Sequence, residues 1–343
     1  MEQARQQAGQ GSRLRIGVAG AGAIGGFLAA RLALAGHEVS VLARGATLAA
    51  IRTRGILLDS GGTRVEANVR ASDDPAQLGV QDVVILAVKA PSLPGLAPAI
   101  APLLGPGTIV LPALNGVPWW FFPPGAGGPL AGRQLRTVDP DGRLERALPA
   151  AHILGLVVFP SCSCPEPGTV VHASGSRLVV GEPAGGMTLR AQAMARLLAD
   201  ARFEASASPD IRRIVWEKLL GNACFNPVSL LTGSHTDLLI DDAGVNRLFQ
   251  AMMHELLTIG RELGIALDIE PADRLAVTRK LGHIKTSMLQ DVEAGRAVEL
   301  DAILGAAVEI AAELRVPAPL LDTVYALARV RAQRLGLYPV ARS

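Results

Sequence analysis

Gly20, Gly22 and Gly25, in the run Gly20-Ala21-Gly22-Ala23-Ile24-Gly25, constrain this chain more than any other feature because of what flanks them. Upstream, Leu14-Arg15-Ile16-Gly17-Val18-Ala19 reads as a short buried strand. Downstream, residues 27–35 read as a helix that Gly36 closes. Gly20 permits the tight turn between them, Gly22 lets backbone approach a diphosphate, and Gly25 lets the helix pack on the strand. Ala23 and Ile24 belong to the same glycine run, and a diphosphate can rest on the N-terminus of the helix that follows it. Strand, loop and helix together predict a doubly wound, Rossmann-type α/β fold that binds a dinucleotide.

The next strand-like run, residues 37–43, ends where a chain that binds NAD places an acid against the ribose 2′-hydroxyl. Arg44 stands there instead. A guanidinium presents a rigid fork of donors to a 2′-phosphate, and no nearby carboxylate repels it, so NADP(H) is the expected cofactor. Arg52 and Arg54 are further candidates, and a solvated surface role for Arg44 stays open.

At 343 residues, with 49% of them hydrophobic, the chain exceeds one core, and two domains are expected. Apolar runs at 83–88, 108–111 and 153–158 read as parallel strands buried on both faces that extend the same sheet. Residues 56–58 and 65–69, around Asp59-Ser60-Gly61-Gly62, read as an inserted hairpin. Residues 170–172 and 177–180 add antiparallel strands, and residues 187–201 a last helix. Beyond Ser208-Pro209 the pattern turns to 3.6-residue periodicity, as in residues 245–263, 272–281 and 298–314. The expected division is a disordered extension over 1–13, an NADP-binding domain over 14–208 and an all-helical domain over 209–335.

Basic and acidic residues, 33 and 31, nearly balance, and no concentrated basic face is readable, so no nucleic-acid partner is expected. Residues 90–132 carry no charge, but Pro91, Pro94, Pro98, Pro102, Pro106, Pro112 and Pro118 leave no apolar stretch of the ~20 residues a membrane span needs. No membrane partner is expected. The N-terminal residues lack the apolar core of a signal peptide, and three cysteines are too few for a disulfide framework, so a cytoplasmic location is expected. Cys162 and Cys164 lack further ligands at metal spacing, and no metal site is expected.

Ligands of open α/β sheets sit beyond the C-terminal strand ends, where Lys89 and Asn115 fall. Lys89 can hold a cofactor ribose or phosphate, and Asn115-Gly116 is also a good turn dipeptide. In Trp216-Glu217-Lys218-Leu219-Leu220-Gly221-Asn222, Lys218 and Asn222 share a helix face among apolar neighbours. Desolvation lowers a lysine pKa and makes it a proton donor near neutrality, although a surface lysine with a buried stem fits the same pattern. Asn226 precedes Pro227, which predicts a kink or helix end there. Ser287 with Gln290 fits a capping box, and Glu299 near a helix start can complement the dipole.

Taken together, the chain from about Arg15 to about Leu335 resembles the ketopantoate reductase (2-dehydropantoate 2-reductase) family. The specific motifs are Trp216-Glu217-Lys218-Leu219 with Asn222 and Asn226-Pro227, and Ser287-Met288-Leu289-Gln290-Asp291-Val292 followed by Gly295-Arg296 and Glu299. The resemblance implies a helical domain of the 6-phosphogluconate dehydrogenase C-terminal-like kind and a hydride passing from NADPH to the C2 ketone of a small 2-oxo acid. It implies Lys218 as general acid, with Glu299 and Asn115 in the active site. Arg44, Lys89 and the glycine loop match cofactor positions, and Asn222, Asn226 and Ser287 match substrate positions.

Thr236 and the segment His283-Ile284-Lys285 stand where some members carry further substrate asparagines. Val117-Pro118-Trp119-Trp120-Phe121-Phe122 replaces the usual small residues, as a lid, an interface or core. A reductase of another 2-oxo acid or a β-hydroxy acid therefore stays open, as does a non-catalytic NADP(H)-binding sensor. Amphipathic helices of the second domain can support a homodimer or serve only the core.

Overall fold

The structure, a computed structural model, describes residues 13–339, so the extension expected over 1–13 lies outside the described residues except for Arg13. Strand β1 (Arg15–Ala19) runs through the glycine turn into helix α1 (Ala23–Leu34), and β2 (Glu38–Leu42) and α2 (Gly45–Arg54) follow. A hairpin of β3 (Ile56–Ser60) and β4 (Thr63–Ala67) turns at Gly61-Gly62, and β5 (Arg70–Ser72) returns the chain to β2. With β6 (Val83–Leu86) and β7 (Ile109–Pro112) the all-parallel sheet has the order β5-β2-β1-β6-β7. Winding reverses between β1 and β6, and the crevice beyond their C-terminal ends is where such a sheet takes its ligand.

The run at 153–158 does not extend this sheet as a parallel strand. Ile153 makes one isolated parallel bridge to Val110, and β8 (Gly155–Val158) then departs. After it come β9 (Ser161–Glu166), β10 (Thr169–Ser174), β11 (Arg177–Gly181), α3 (Leu189–Asp200) and β12 (Glu204–Ala207). They build two further sheets, β12-β11-β8 and β4-β3-β10-β9, in which β11 is antiparallel to β8 and β10 is parallel to β3. A continuous apolar run reports burial on both faces, which β8 has in full, but carries no information on strand direction. The hairpin is thus half of a second sheet that packs behind α1. Its Val170 lies where a Cβ on Gly26 would come within 2.6 Å, and Phe27 stacks on His172 with ring centroids 4.4 Å apart.

Among the described residues no strand follows Ala207. Helix α4 (Ile211–Thr232) starts at Asp210, whose carboxylate accepts from the Arg213 amide, and ends at Gly233 with φ +68°. Around it lie α5 (Thr236–Asp241), α6 (Ala243–Glu262), α7 (Pro271–Arg279) and α8 (Ser287–Glu293). A π-helical turn (Asp301–Gly305) leads into α9 (Ala306–Leu314), and α10 (Pro319–Arg334) completes the described helices. None is long and apolar enough to cross a membrane.

Two local expectations change. The helix end allowed for at Asn226-Pro227 is absent: α4 runs through Pro227, because residues 223–230 are buried and packing outweighs the one backbone bond that proline forgoes. Helix α8 is capped by Thr286, whose hydroxyl accepts from the Leu289 amide, so Ser287 is the first helical residue and no capping box forms. Hydroxyls stand at both positions, and sequence alone does not separate them.

The glycines of the first turn make unequal demands. A Cβ on Gly25 would sit 1.9 Å from the Gly20 carbonyl oxygen and 2.9 Å from Ala87 Cβ, whereas one on Gly22 would meet nothing within 4 Å. Gly25→Ala should therefore lower the unfolding free energy by at least ~2 kcal/mol, the scale of an overpacked core, and Gly22→Ala by less than ~1 kcal/mol. Denaturant melts of the two variants check this; equal losses would contradict the packing just described.

Candidate active site

The crevice is bordered on one side by strand ends of the parallel sheet. The Gly20 amide donates to the Leu42 carbonyl at 3.0 Å and the Ala87 amide to the Ala19 carbonyl at 2.9 Å, so the glycine turn, with Gly20 at φ +101°, lies across β1, β2 and β6. Gly22 begins α1 without a side-chain cap, a Cβ on it would meet nothing within 4 Å, and the amides of Ala23, Ile24 and Gly25 belong to the first turn, which has no intrahelical acceptors for them. A dinucleotide diphosphate fits this cradle, which supplies backbone donors and the positive end of a helix.

Of the three arginines after β2, Arg54 bonds Thr169 and the Pro167 carbonyl, each at 3.0 Å, and Arg52 bonds the Ala71 carbonyl at 3.2 Å. Arg44 is exposed at the start of α2, and its guanidinium makes no hydrogen bond or ion pair among the described residues.

Facing the glycine turn, a chain of polar contacts joins strand ends to helices. The Lys218 ammonium, on α4, donates to Asn115 Oδ1 at 2.8 Å and to the Val158 carbonyl at 2.5 Å. Asn115 follows β7, and its Nδ2 donates to Glu299 Oε2 at 3.4 Å. Glu299 is 4% exposed and accepts from the Ala90 amide at 3.0 Å and from Lys89 Nζ at 3.4 Å. Lys89, after β6, reaches on to Asp291 Oδ2 at 2.7 Å, and Arg296 holds the other oxygen of Asp291 at 3.0 Å.

Desolvation pulls the Lys218 pKa down to about 8, against the opposing charge of Glu299. Burial also pulls on Lys89, but Glu299 and Asp291 outweigh it and leave that pKa above its ordinary value. Two lysines 129 positions apart are thus set to different tasks by their partners: one carboxylate-locked cation, and one ammonium able to release a proton near neutrality.

One and two turns beyond Lys218 on α4 stand Asn222 and Asn226. Asn222 is half-buried and, among the described residues, its amide makes no hydrogen bond; it lines a small cavity with Lys218, Leu219, Leu156, Gly116 and Trp120. Asn226 is 3% exposed and its Nδ2 is unpartnered. Ser287 is exposed at the first turn of α8. The Thr236 amide and hydroxyl both donate to the Ile284 carbonyl, at 3.0 and 3.3 Å. Trp119 to Phe122 are core, each at most 9% exposed, rather than a lid or surface interface.

Four members of the polar chain are absent from the residues singled out by sequence: Asp291, Arg296, the Ala90 amide and the Val158 carbonyl. Asp291 is part of a quoted motif but, on a helix that also presents Met288 and Leu289 to the core, its charge gives no sign of two cations converging on it. The Ala90 amide leaves no trace at all in a side-chain pattern.

Comparison with known proteins bears on the family to which the chain belongs. The profile "Ketopantoate reductase PanE/ApbA" matches residues 16–119, and "Ketopantoate reductase PanE/ApbA C terminal" matches residues 210–332. A protein of Mesorhizobium japonicum named 2-dehydropantoate 2-reductase is 42% identical over 95% of this chain and 100% of its own length. A crystal structure from Ralstonia solanacearum MolK2 is 48% identical, covers 95% of this chain and 100% of that one, and superposes with a TM-score of 0.91. That of 2-dehydropantoate 2-reductase from Methylococcus capsulatus is 27% identical over 96% and 99% of the two chains, with a TM-score of 0.79. With a Rossmann-type sheet, a helical partner and both halves of the family pattern, the chain belongs to the ketopantoate reductase family of nicotinamide-dependent oxidoreductases.

Proposed function

We propose that the chain reduces 2-dehydropantoate (ketopantoate) to (R)-pantoate with NADPH, a step of pantothenate and coenzyme A biosynthesis carried out in the cytoplasm. The observation that carries this reading is the Lys218 ammonium, desolvated and hydrogen-bonded to Asn115 at the strand ends opposite the glycine cradle. The 42% identical relative named for that activity supports the substrate.

A bound nicotinamide supplies the hydride to C2 of the oxo acid. Lys218 gives its proton to the oxygen as negative charge develops there, and the residual ammonium charge before transfer stabilises the forming alkoxide. Asn115 aims Lys218 through its carbonyl oxygen and, through its amide, ties it to Glu299. Glu299 raises the proton affinity of Lys218 against burial and offers a carboxylate to a substrate hydroxyl. Asn222, the unpartnered amide of Asn226 and the exposed hydroxyl of Ser287 bind the carboxylate and hydroxyl groups of the substrate without adding negative charge. In the cofactor site Gly20, Gly22, Ala23, Ile24 and Gly25 hold the diphosphate, Arg44 the 2′-phosphate, and Lys89 with Asn115 the end nearest the chemistry.

One observation favours a second reading, a reductase of another 2-oxo acid. Thr236 is 3% exposed and spends its hydroxyl proton on the Ile284 carbonyl, and Ile284 itself is 38% exposed, so neither position offers a side-chain amide to a substrate.

Following NADPH oxidation at 340 nm with ketopantoate and a panel of other 2-oxo acids separates the two: the main reading requires the highest kcat/KM on ketopantoate. Lys218→Ala should lower kcat by about 10²–10⁴-fold and leave NADPH affinity within threefold. In the unaltered protein the reduction rate should fall as pH rises through about 8, because the acid form of Lys218 is lost there. Retained turnover in Lys218→Ala would remove it as the acid.

Arg44→Asp replaces the free guanidinium with a charge that repels a 2′-phosphate and suits a 2′-hydroxyl. KM for NADPH should rise at least about tenfold while KM for NADH stays level or falls. Equal changes for both cofactors would overturn the assignment.

A further inference from the structure

The chain has two tyrosines in 343 residues, and both end on the same carboxylate oxygen. Tyr325 Oη donates to Asp301 Oδ1 at 2.7 Å and Tyr338 Oη to the same atom at 2.6 Å. Neither phenol touches the polar chain around Lys218. Asp301, however, opens the π-helical turn two residues after Glu299. Such turns are rare and occur mostly as single-turn bulges inside α-helices, frequently at functional sites.

This turn is gripped on three sides. On the inner side its Ala302 carbonyl accepts from the Val117 amide at 2.7 Å, and it comes so close to Gly116, at φ +81°, that a Cβ there would lie 2.1 Å from the oxygen. The loop carrying Asn115 is thereby seated on the turn that follows Glu299. On the outer side the Tyr325 ring covers Gly305, whose Cβ would lie 3.0 Å from two ring carbons. Beside it the Leu337 carbonyl accepts from the Val298 amide at 3.2 Å, which straps the residue before Glu299 to the segment bearing Tyr338.

We infer that Asp301, Tyr325 and Tyr338 form a positioning clamp: by fixing the π-helical turn from outside, they set where Glu299 and Asn115 stand relative to the Lys218 ammonium. The three are positioning residues, since none reaches the reacting atoms. The inference rests on Lys218 acting as the proton donor, although the arrangement of the turn stands without it. Burial and the hydrogen bonds to Asp301 push both phenols above their ordinary pKa, Tyr325 to about 12, as expected of tyrosines committed to a carboxylate. The charge of Glu299 is what opposes desolvation at Lys218, so a clamp that lets Glu299 drift must lower the Lys218 pKa.

The test uses the full-length Tyr338→Phe protein, which keeps the ring and loses one bond, and Asp301→Asn, which keeps the shape and loses the charge. Glu255→Gln is the control: Glu255 accepts from the Leu320 and Leu321 amides in the first turn of α10, one turn before Tyr325, so its loss loosens the same helix without removing a bond to Asp301 or to either phenol. Competitive amine labelling of Lys218 across pH, read by mass spectrometry, gives its midpoint without any turnover. Both clamp variants should move that midpoint down by at least about half a unit, a threefold change in the protonated ratio, and Glu255→Gln should not. With ketopantoate and NADPH, kcat should fall about tenfold in the clamp variants, the basic limb of its pH profile should move down with the labelling midpoint, and KM for NADPH should stay unchanged. An unmoved midpoint in both clamp variants, or an equal shift in Glu255→Gln, overturns the clamp. Absence of turnover in the unaltered protein with a clamp-specific midpoint shift would overturn the proposed reaction and leave the clamp standing.

Discussion

A lysine ammonium withdrawn from water, between a carbonyl of β8 and an amide after β7, is the contact on which the site depends. Desolvation disfavours its charge, and the hydrogen bonds it donates to Asn115 Oδ1 and the Val158 carbonyl restore part of what water provided. The balance leaves a group that can hold a proton and also part with it. Had Lys218 been paired with a carboxylate at the distance that Lys89 keeps from Asp291, it would be locked as a cation. Placing Glu299 one amide away instead tunes Lys218 without capturing it.

That arrangement requires two halves of the chain to meet with little tolerance. The parallel sheet supplies Lys89 and Asn115 at adjacent strand ends, and the helical half supplies Lys218, Asp291 and Glu299 from three separate segments. Buried carboxylates are held only where cations and amides satisfy them, and here every oxygen of Asp291 and Glu299 has a partner. Electrostatic satisfaction and alignment of the crevice are therefore one condition. Gly116 shows the same economy in steric form, since only a residue without a side chain lets its loop rest on the turn after Glu299.

What could be read from residues alone divides along physical lines. Glycine spacing, the arginine after β2 and the change from buried strands to 3.6-residue periodicity are local and were legible, as were the positions of Lys218, Asn115 and Glu299 once motif and strand end were combined. Strand direction was not: residues 153–158 are apolar throughout whether paired parallel or antiparallel, and β8 chose β11. The hydroxyl of Thr286 rather than Ser287 caps α8 by a one-residue register that neither side chain announces. Pro227 breaks nothing because the helix around it is held by its neighbours. Asp291 meets Lys89 across 202 residues, a pairing that no local pattern encodes.

That separation has a consequence for how the molecule comes into being. Synthesis proceeds from the N-terminus, and domains form as units while the ribosome is still adding residues. The glycine turn and its sheet are complete before α4 exists, whereas the partners of Lys89 lie 202 and 210 residues downstream. A nascent chain therefore carries the glycine turn and its sheet, with Lys89 and Asn115 lacking their helical partners, well before it carries Lys218. The half that holds the glycine turn precedes the half that holds Lys218, and Asp291 and Glu299, which tie the two together, come later still.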